Sequence, residues 1–309
     1  MNTDQETTES PQSENSAKTS GGSDETFDWK KDINSLEAAR RHLRKRRTRA
    51  TPYSFYTTVD RTIRLLETRR LWLTRLDAEE FDDGIEHKKY GDKSVAYRLF
   101  IKCFQFGRQE SAAMWGLYCP PTYQAIRVSI SWQAFDELAR QPCFPAGEGK
   151  EFSPAPDVVD KWVQDIVYAS VVSAEERSNE SQREIRRANA LWYDGEYSNP
   201  IADLPNQISA ESATGIVKDA EWRFENESRL FVQVKEPSRE KHIAVAFPDS
   251  AIESISFTLS PWASDEEQAF VTDRLSVALL KARRKDSKLF RKSVLQDGLK
   301  KWAERRGLD

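Results

Sequence analysis

Between Tyr97 and Ser131 the chain carries its most regular alternation of apolar and polar positions. Leu99, Ile101 and Cys103 alternate with Phe100, Lys102 and Phe104, so an extended chain here is apolar on much of both faces, as a strand in the middle of a sheet must be. Ile126, Val128 and Ile130 then alternate with Arg127, Ser129 and Ser131, which predicts a second strand with one buried and one wet face. The intervening Glu110-Ser111-Ala112-Ala113-Met114-Trp115-Gly116-Leu117-Tyr118 reads as a short helix. Glu110 and Ser111 stand at its start, where backbone N–H groups lack partners and a hydroxyl or an acid can satisfy them. Trp115 and Tyr118, three apart, share a face.

The same periods recur along the rest of the chain. Tyr53, Phe55 and Tyr56 predict a short strand, and Val59, Ile63 and Leu66 an inward face on a helix from Val59 to about Thr68. Leu71-Trp72-Leu73-Thr74 predicts a strand; Phe81-Asp82-Asp83-Gly84-Ile85-Glu86 is a turn whose carboxylates either simply turn the chain or bind a cation. Gln141 to Asp157, with Pro142, Pro145, Pro154 and Pro156, reads as an irregular loop, and Ile166 to Val172 as a returning strand. Ser178 to Ala190 is helix-prone, and Tyr193 to Thr214 reads as a surface insertion whose neighbouring Trp192, Tyr193 and Tyr197 cover either the core or a cleft. Strands follow at Ile243–Phe247 and Ile255–Leu259. Ser264 and Glu267 spell a capping box for a helix with Val271, Leu275, Ala278 and Leu279 as its buried stripe. A closing amphipathic helix has Leu295, Leu299 and Trp302 on one side and Arg283, Arg284, Lys285, Lys288, Arg291 and Lys292 on its surface.

These elements imply an α+β fold: a mixed, largely antiparallel sheet of about seven strands with helices around it. The chain divides into a polar, disordered tail over 1–30, a basic helix over 31–50, the α+β domain over 51–260 and C-terminal helices over 261–309. The basic segment packs Arg40, Arg41, Arg44, Arg46 and Arg47 close together, which attracts phosphates by charge alone and makes nucleic acid a candidate partner. No aromatic residue interleaves with these arginines, so base stacking is not expected there.

Composition narrows the chemistry. With 31% charged residues and no apolar run near the roughly eighteen residues of a membrane helix, the expectation is a cytoplasmic protein with no membrane partner. Cys103, Cys119 and Cys143 form neither a CxxC nor an even framework, and with three histidines in the chain no zinc site or other metal centre is expected. Neither GxGxxG nor GxxxxGK occurs, which argues against a Rossmann dehydrogenase or a P-loop enzyme.

The sharper chemical signal lies in Lys218 to Val234. If the chain is extended from Glu221 onward, Glu225, Glu227 and Arg229 form a row opposite Trp222, Phe224 and Leu230, spaced about 7 Å apart. Two carboxylates so close push one pKa up unless Arg229 holds both ionised. Such a row can position a sugar hydroxyl and stabilise a cationic transition state. It can equally be a salt-bridge ladder on a solvent face.

Taken together, Tyr53-Ser54-Phe55-Tyr56, Leu71-Trp72-Leu73-Thr74 leading to Phe81–Glu86, Cys103-Phe104 with Glu110–Trp115 and Tyr118, and Trp222–Arg229 resemble the conserved blocks of a bacterial family called domain of unknown function 2971. The resemblance covers Tyr53 to about Leu259. Two departures stand out: Asp82-Asp83-Gly84 replaces the family's Asn-Asp-Pro, and its glycine before the strand near Ala125 is missing. The block order is also similar to that of ADP-ribosyltransferase folds, an analogy at the level of fold. The resemblance implies an NAD-consuming transferase, a toxin or phage-defence effector that modifies nucleic acid or protein, with an antitoxin or chaperone as a further partner. NAD is then a substrate, with Tyr53 or Tyr56 and Trp115 or Tyr118 against the nicotinamide and Ser111 and Arg229 among the binding residues. Glu225 or Glu227 is the catalytic carboxylate. The alternative is a non-enzymatic module that grips nucleic acid or an acidic protein with its basic helices.

Overall fold

The computed structural model describes residues 51–78, 93–119, 122–146, 156–169, 201–202, 214–282 and 289–298. The polar tail, the arginine block, the Phe81–Glu86 turn, the 178–190 segment and Trp192, Tyr193 and Tyr197 lie outside them.

The long central strand β3 (Leu99–Phe106) organises the sheet. Along one edge it pairs with β10 (Glu227–Val234), from Gln105 opposite Glu227 to Leu99 opposite Gln233. Its other edge is shared: β1 (Tyr53–Thr58) takes the end near Phe106 and β2 (Arg70–Arg75) the end near Ile101. The sheet therefore forks at β3. One branch runs from β1 through β4 (Ala125–Ile130) and β12 (Ser256–Leu259) to β13 (Phe290–Arg291), and the other from β2 through β11 (His242–Ala246) to β5 (Cys143–Pro145). β6 (Val158–Asp165) lines the far side of β10. Among the described residues these ten strands pair antiparallel except β12 with β13, giving a mixed, largely antiparallel sheet within an α+β fold. A separate parallel group holds β7 (Val167–Ala169), β8 (Ile201–Ala202) and β9 (Val217–Asp219).

The helices follow from local chemistry. Thr58 caps α1 (Val59–Thr68) by accepting from the Arg61 N–H, and Arg69 ends it in the left-handed region at φ 56°. A four-residue α2 (Lys93–Ala96) leads into β3, Ser111 caps α3 (Ala112–Tyr118) and Ser131 caps α4 (Trp132–Leu138). After α5 (Asp249–Ser254), the anticipated capping box of Ser264 and Glu267 opens α6 (Asp265–Lys281). Val271, Leu275, Ala278 and Leu279 of α6 join Phe55, Phe104, Val128, Leu230 and Phe257 in the main core on one face of the sheet.

Four local expectations need correction. The polar side of β4 is buried, because other chain segments cover that face of the sheet too: Arg127 and Ser129 are both under 8% exposed. The proline-rich stretch contains β5, and β6 precedes the short β7 where one later strand was expected. Residues 220–225 are not extended but form a 3-10 helix. Near the C-terminus Phe290 and Arg291 form a strand rather than helix, held by stacking of Phe290 on Phe257 at 5.3 Å.

Leu230 sits at the join of β3, β6 and β10 with no exposed surface. Leu230→Ala should destabilise the protein by about 2–5 kcal/mol in chemical denaturation, whereas truncating the exposed Leu280 should cost under about 0.5 kcal/mol.

Candidate functional site

The face of the sheet turned away from the main core is apolar where Leu99, Ile101 and Phe231 lie, and polar yet buried from Cys103 and Arg229 onward to β1 and β4. The register sets Ser54 beside Ser129 and Tyr56 beside Arg127 across β1 and β4, and Gln105 beside Glu227 and Cys103 beside Arg229 across β3 and β10. Ser54 and Ser129 share a hydrogen bond of 2.7 Å, and the Tyr56 hydroxyl donates to Gln105 Oε1 at 3.1 Å. Burial raises the Tyr56 pKa to about 12, so this phenol keeps its proton and serves as a donor.

At the β10 end of this face two carboxylates meet two cations. Asn226, left-handed at φ 45°, separates Glu225 at the end of the 3-10 helix from Glu227 at the start of β10. Asparagine is one of the few side chains that enter this region readily. Its side-chain amide also donates to the Phe106 carbonyl at 2.5 Å, which fixes the turn against β3. Arg229 grips Glu227 with both arms of its fork, Nε to Oε1 at 2.7 Å and Nη2 to Oε2 at 3.0 Å, and donates from Nη1 to the Gly215 carbonyl at 2.8 Å. Gly215 is left-handed at φ 71°, and an added Cβ would lie 3.1 Å from the Phe231 ring, so both backbone and space call for glycine. The Lys218 ammonium lies 2.5 Å from Glu225 Oε2 and 3.3 Å from Glu227 Oε2, with the Trp222 ring 5.0 Å away. Tyr118 donates its hydroxyl to Glu225 Oε1, and Tyr168 accepts the Glu227 backbone N–H at 2.9 Å.

The two acids are driven apart electrostatically. Burial and the neighbouring Glu227 charge raise Glu225 to about 7 despite Lys218 and Tyr118. Burial alone would raise Glu227 as well, but Arg229 and Lys218 outweigh it and hold that carboxyl down at about 2. Of the two outcomes open to a close carboxylate pair, the structure takes the first, with one acid raised. The arrangement yields one permanently ionised, doubly clamped carboxylate beside one that exchanges its proton near neutrality, the usual division between a structural acid and a general acid or base. Tyr118 is raised far above the usual phenol range, by burial of its hydroxyl end and then by the two glutamates, so it faces Glu225 as a donor.

The sequence-predicted residues are only partly gathered here. Glu225, Glu227, Arg229 and Tyr118 meet directly. Tyr56 and Trp115 pack edge to face at 4.9 Å on the same sheet face, with Ser111 capping the helix above them. Tyr53 is elsewhere: it points to the opposite face, stacked on Phe135 at 4.0 Å within the main core. The row does not arise from an extended 221–229, and its face is buried, which removes the solvent-exposed ladder. Arg40, Arg41, Arg44, Arg46 and Arg47 lie outside the described residues. Sequence reasoning did not single out Lys218 or Tyr168; the signal for Lys218 was a lone cation after Ile216 and Val217, just upstream of the acids. Among the described residues no cluster of His, Cys, Asp and Glu could hold a metal, the three cysteines are free thiols, and no helix is long and apolar enough to cross a membrane. No family model, curated protein or solved structure matches the chain.

The two glutamates leave opposite marks on stability. Glu227, lowered from 4.5 to about 2, contributes stability that is present above about pH 4.5 and lost as the pH falls toward 2. Glu225, raised from 4.5 to about 7, keeps its proton in the folded protein where the unfolded chain has lost it. Stability therefore falls as the pH climbs from about 4.5 to about 7 and levels off beyond. Denaturant unfolding across that range should show this fall in the parent and a shallower one in Glu225→Gln; equal slopes would mean that Glu225 titrates normally.

Proposed function

We propose that the protein is an NAD-consuming transferase of the ADP-ribosyltransferase kind, with Glu225 as its working carboxyl. The observation that carries this reading is a carboxyl poised near pH 7 between the Lys218 ammonium and the Tyr118 hydroxyl. A second acid, Glu227, is clamped by Arg229, and its charge is the neighbour that holds the Glu225 pKa up. In that role the bond between nicotinamide and the ribose C1′ breaks with its electron pair leaving on nicotinamide, and the Glu225 carboxylate stabilises the cationic sugar. The acceptor then bonds to C1′, and Glu225 takes the proton the acceptor gives up. Glu227 is a positioning group, since its oxygens are spent on Arg229 and Lys218. The half-exposed Tyr118 ring on Glu225 and Trp222 beside Lys218 are the aromatic surfaces at hand for a planar leaving group, whereas the Tyr56–Trp115 pair is buried beneath them. The acceptor is a macromolecule, nucleic acid or protein, and the chain acts as a toxin or defence effector; the arginine-rich 40–49 segment suits an acceptor that carries phosphates.

Purified protein incubated with labelled NAD in a cell lysate should transfer label to a macromolecule, and nuclease or protease treatment of the product names its class. Glu225→Gln should lower turnover by about a hundredfold or more. Full turnover in that variant would remove Glu225 from the site, and neither transfer nor nicotinamide release in the parent would reject the NAD reading.

A further inference from the structure

We infer that Glu110 is a positioning residue of the Glu225 site: it straps residues 289–298 across the start of α3 and thereby holds Tyr118, at the other end of that helix, against Glu225. This rests on Glu225 being the working carboxyl and not on NAD being the substrate.

α3 has seven residues, and a helix that short does not keep its place through its own backbone bonds. Its Ser111 cap is a long contact, 3.4 Å from the Met114 N–H. Met114 and Trp115 pack its middle beside Tyr56, Cys119 and Ala125, and the polar attachments of its start are made by Glu110. Its Oε2 accepts from Trp115 Nε1 at 3.2 Å and from the Ser293 hydroxyl at 2.5 Å, while Oε1 accepts the Val294 backbone N–H at 3.0 Å. One carboxylate thus joins the helix to a segment nearly two hundred residues away in the chain.

That segment is itself anchored on both sides of the contact. Before it, β13 pairs with β12 and Phe290 stacks on Phe257. After it, Gln296 donates to the Ala263 carbonyl at 3.0 Å, and Leu295 packs against the cluster of Tyr56, Met114, Trp115, Cys119 and Ala125. A seven-residue helix is only about 10 Å long, so its start at Glu110 and its end at Tyr118 are close enough for a loosened start to shift the end.

The groups that face Glu225 are Lys218, Tyr118 and Glu227, with Arg229, Cys103 and Tyr168 behind Glu227. None of them belongs to residues 289–298, so the strap reaches Glu225 through α3.

The test is a titration of the full chain labelled with 13C at the glutamate carboxyls, the Glu225 resonance being assigned by its loss in Glu225→Gln. Glu110→Ala should let α3 lift and water reach Glu225, moving its midpoint down by about one pH unit or more. Ser293→Ala combined with Leu295→Ala loosens the strap while leaving the Glu110 charge in place, and should move the midpoint the same way. Tyr118→Phe keeps the covering ring but removes the donor, and should move the midpoint up. Midpoints within about 0.2 pH units of the parent in both strap variants would overturn the inference, even with lowered thermal stability, because they would make Glu110 a structural contact only. Should Glu110→Ala fail to fold, the Ser293 and Leu295 variant decides alone. The titration needs no substrate, so a failure to turn over NAD leaves its outcome unaffected.

Discussion

Two carboxylates and two cations share the space between the central strands and the segments that cover them, and none of the four can stand there unmatched. Removing an ion from water costs several kcal/mol, recovered only where geometry and hydrogen bonds are nearly complete. The Arg229 fork on Glu227 supplies that geometry for one pair, and Lys218 bridges to the other. Much of the surrounding architecture serves this match. The Gly215 turn offers its carbonyl to the remaining arm of Arg229, Asn226 turns the chain so that both acids face Lys218, and Tyr168 takes the backbone N–H of Glu227. The cluster is nearly balanced in charge, and the imbalance that burial creates falls on Glu225.

That burial is a consequence of the forked sheet. One face carries a continuous apolar core running from α1 to α6. The other is closed by α3, by residues 289–298 and by the Gly215–Asp219 approach; serines, tyrosines, glutamine, arginines and glutamates fill part of it, beside a smaller apolar cluster around Leu99, Ile101 and Phe231. On this second face polar groups are held in fixed places under reduced dielectric, with the apolar cluster around Ile101 and Phe231 beside them. Fixed dipoles and charges of this kind make a proton-exchanging group useful, because little reorganisation is needed when charge moves.

The strands and helices were legible where periodicity reports burial directly. Phe100 and Ile101 on opposite faces place β3 at the centre, and Ser264 with Glu267 announces α6 to the residue. Arg127 and Ser129 misled for a physical reason: alternation marks a polar face, but whether water or another segment covers it is decided by chain many residues away. β6 was missed because Asp160, Lys161 and Gln164 dilute its apolar signal, and its place depends on β10 rather than on its own sequence. Three of the four charged members of the site, Glu225, Glu227 and Arg229, were recognised from their spacing, although the geometry behind that spacing was wrong. Extended strand and a 3-10 helix ending in a left-handed asparagine can bring the same two acids together, and the sequence pattern does not distinguish them. Lys218 escaped because a cation's partner is set by tertiary contact, and the side of β1 that Tyr53 faces follows from pairing with Phe106, not from its being aromatic.

The pairing of β3 with β10 also governs when the site can exist. Gln105 and Glu227 are more than a hundred residues apart in sequence, and Arg229 meets its partners only once that ladder has closed. Closing so long a loop is entropically costly and slow compared with forming a hairpin. On the ribosome the long strand β3 is made early and waits with one edge unpaired, while the chain that will complete it is still being synthesised. Until Val234 has emerged the acids lack the β3–β10 ladder that seats them, so a nascent or truncated chain carries the residues of the site without its chemistry.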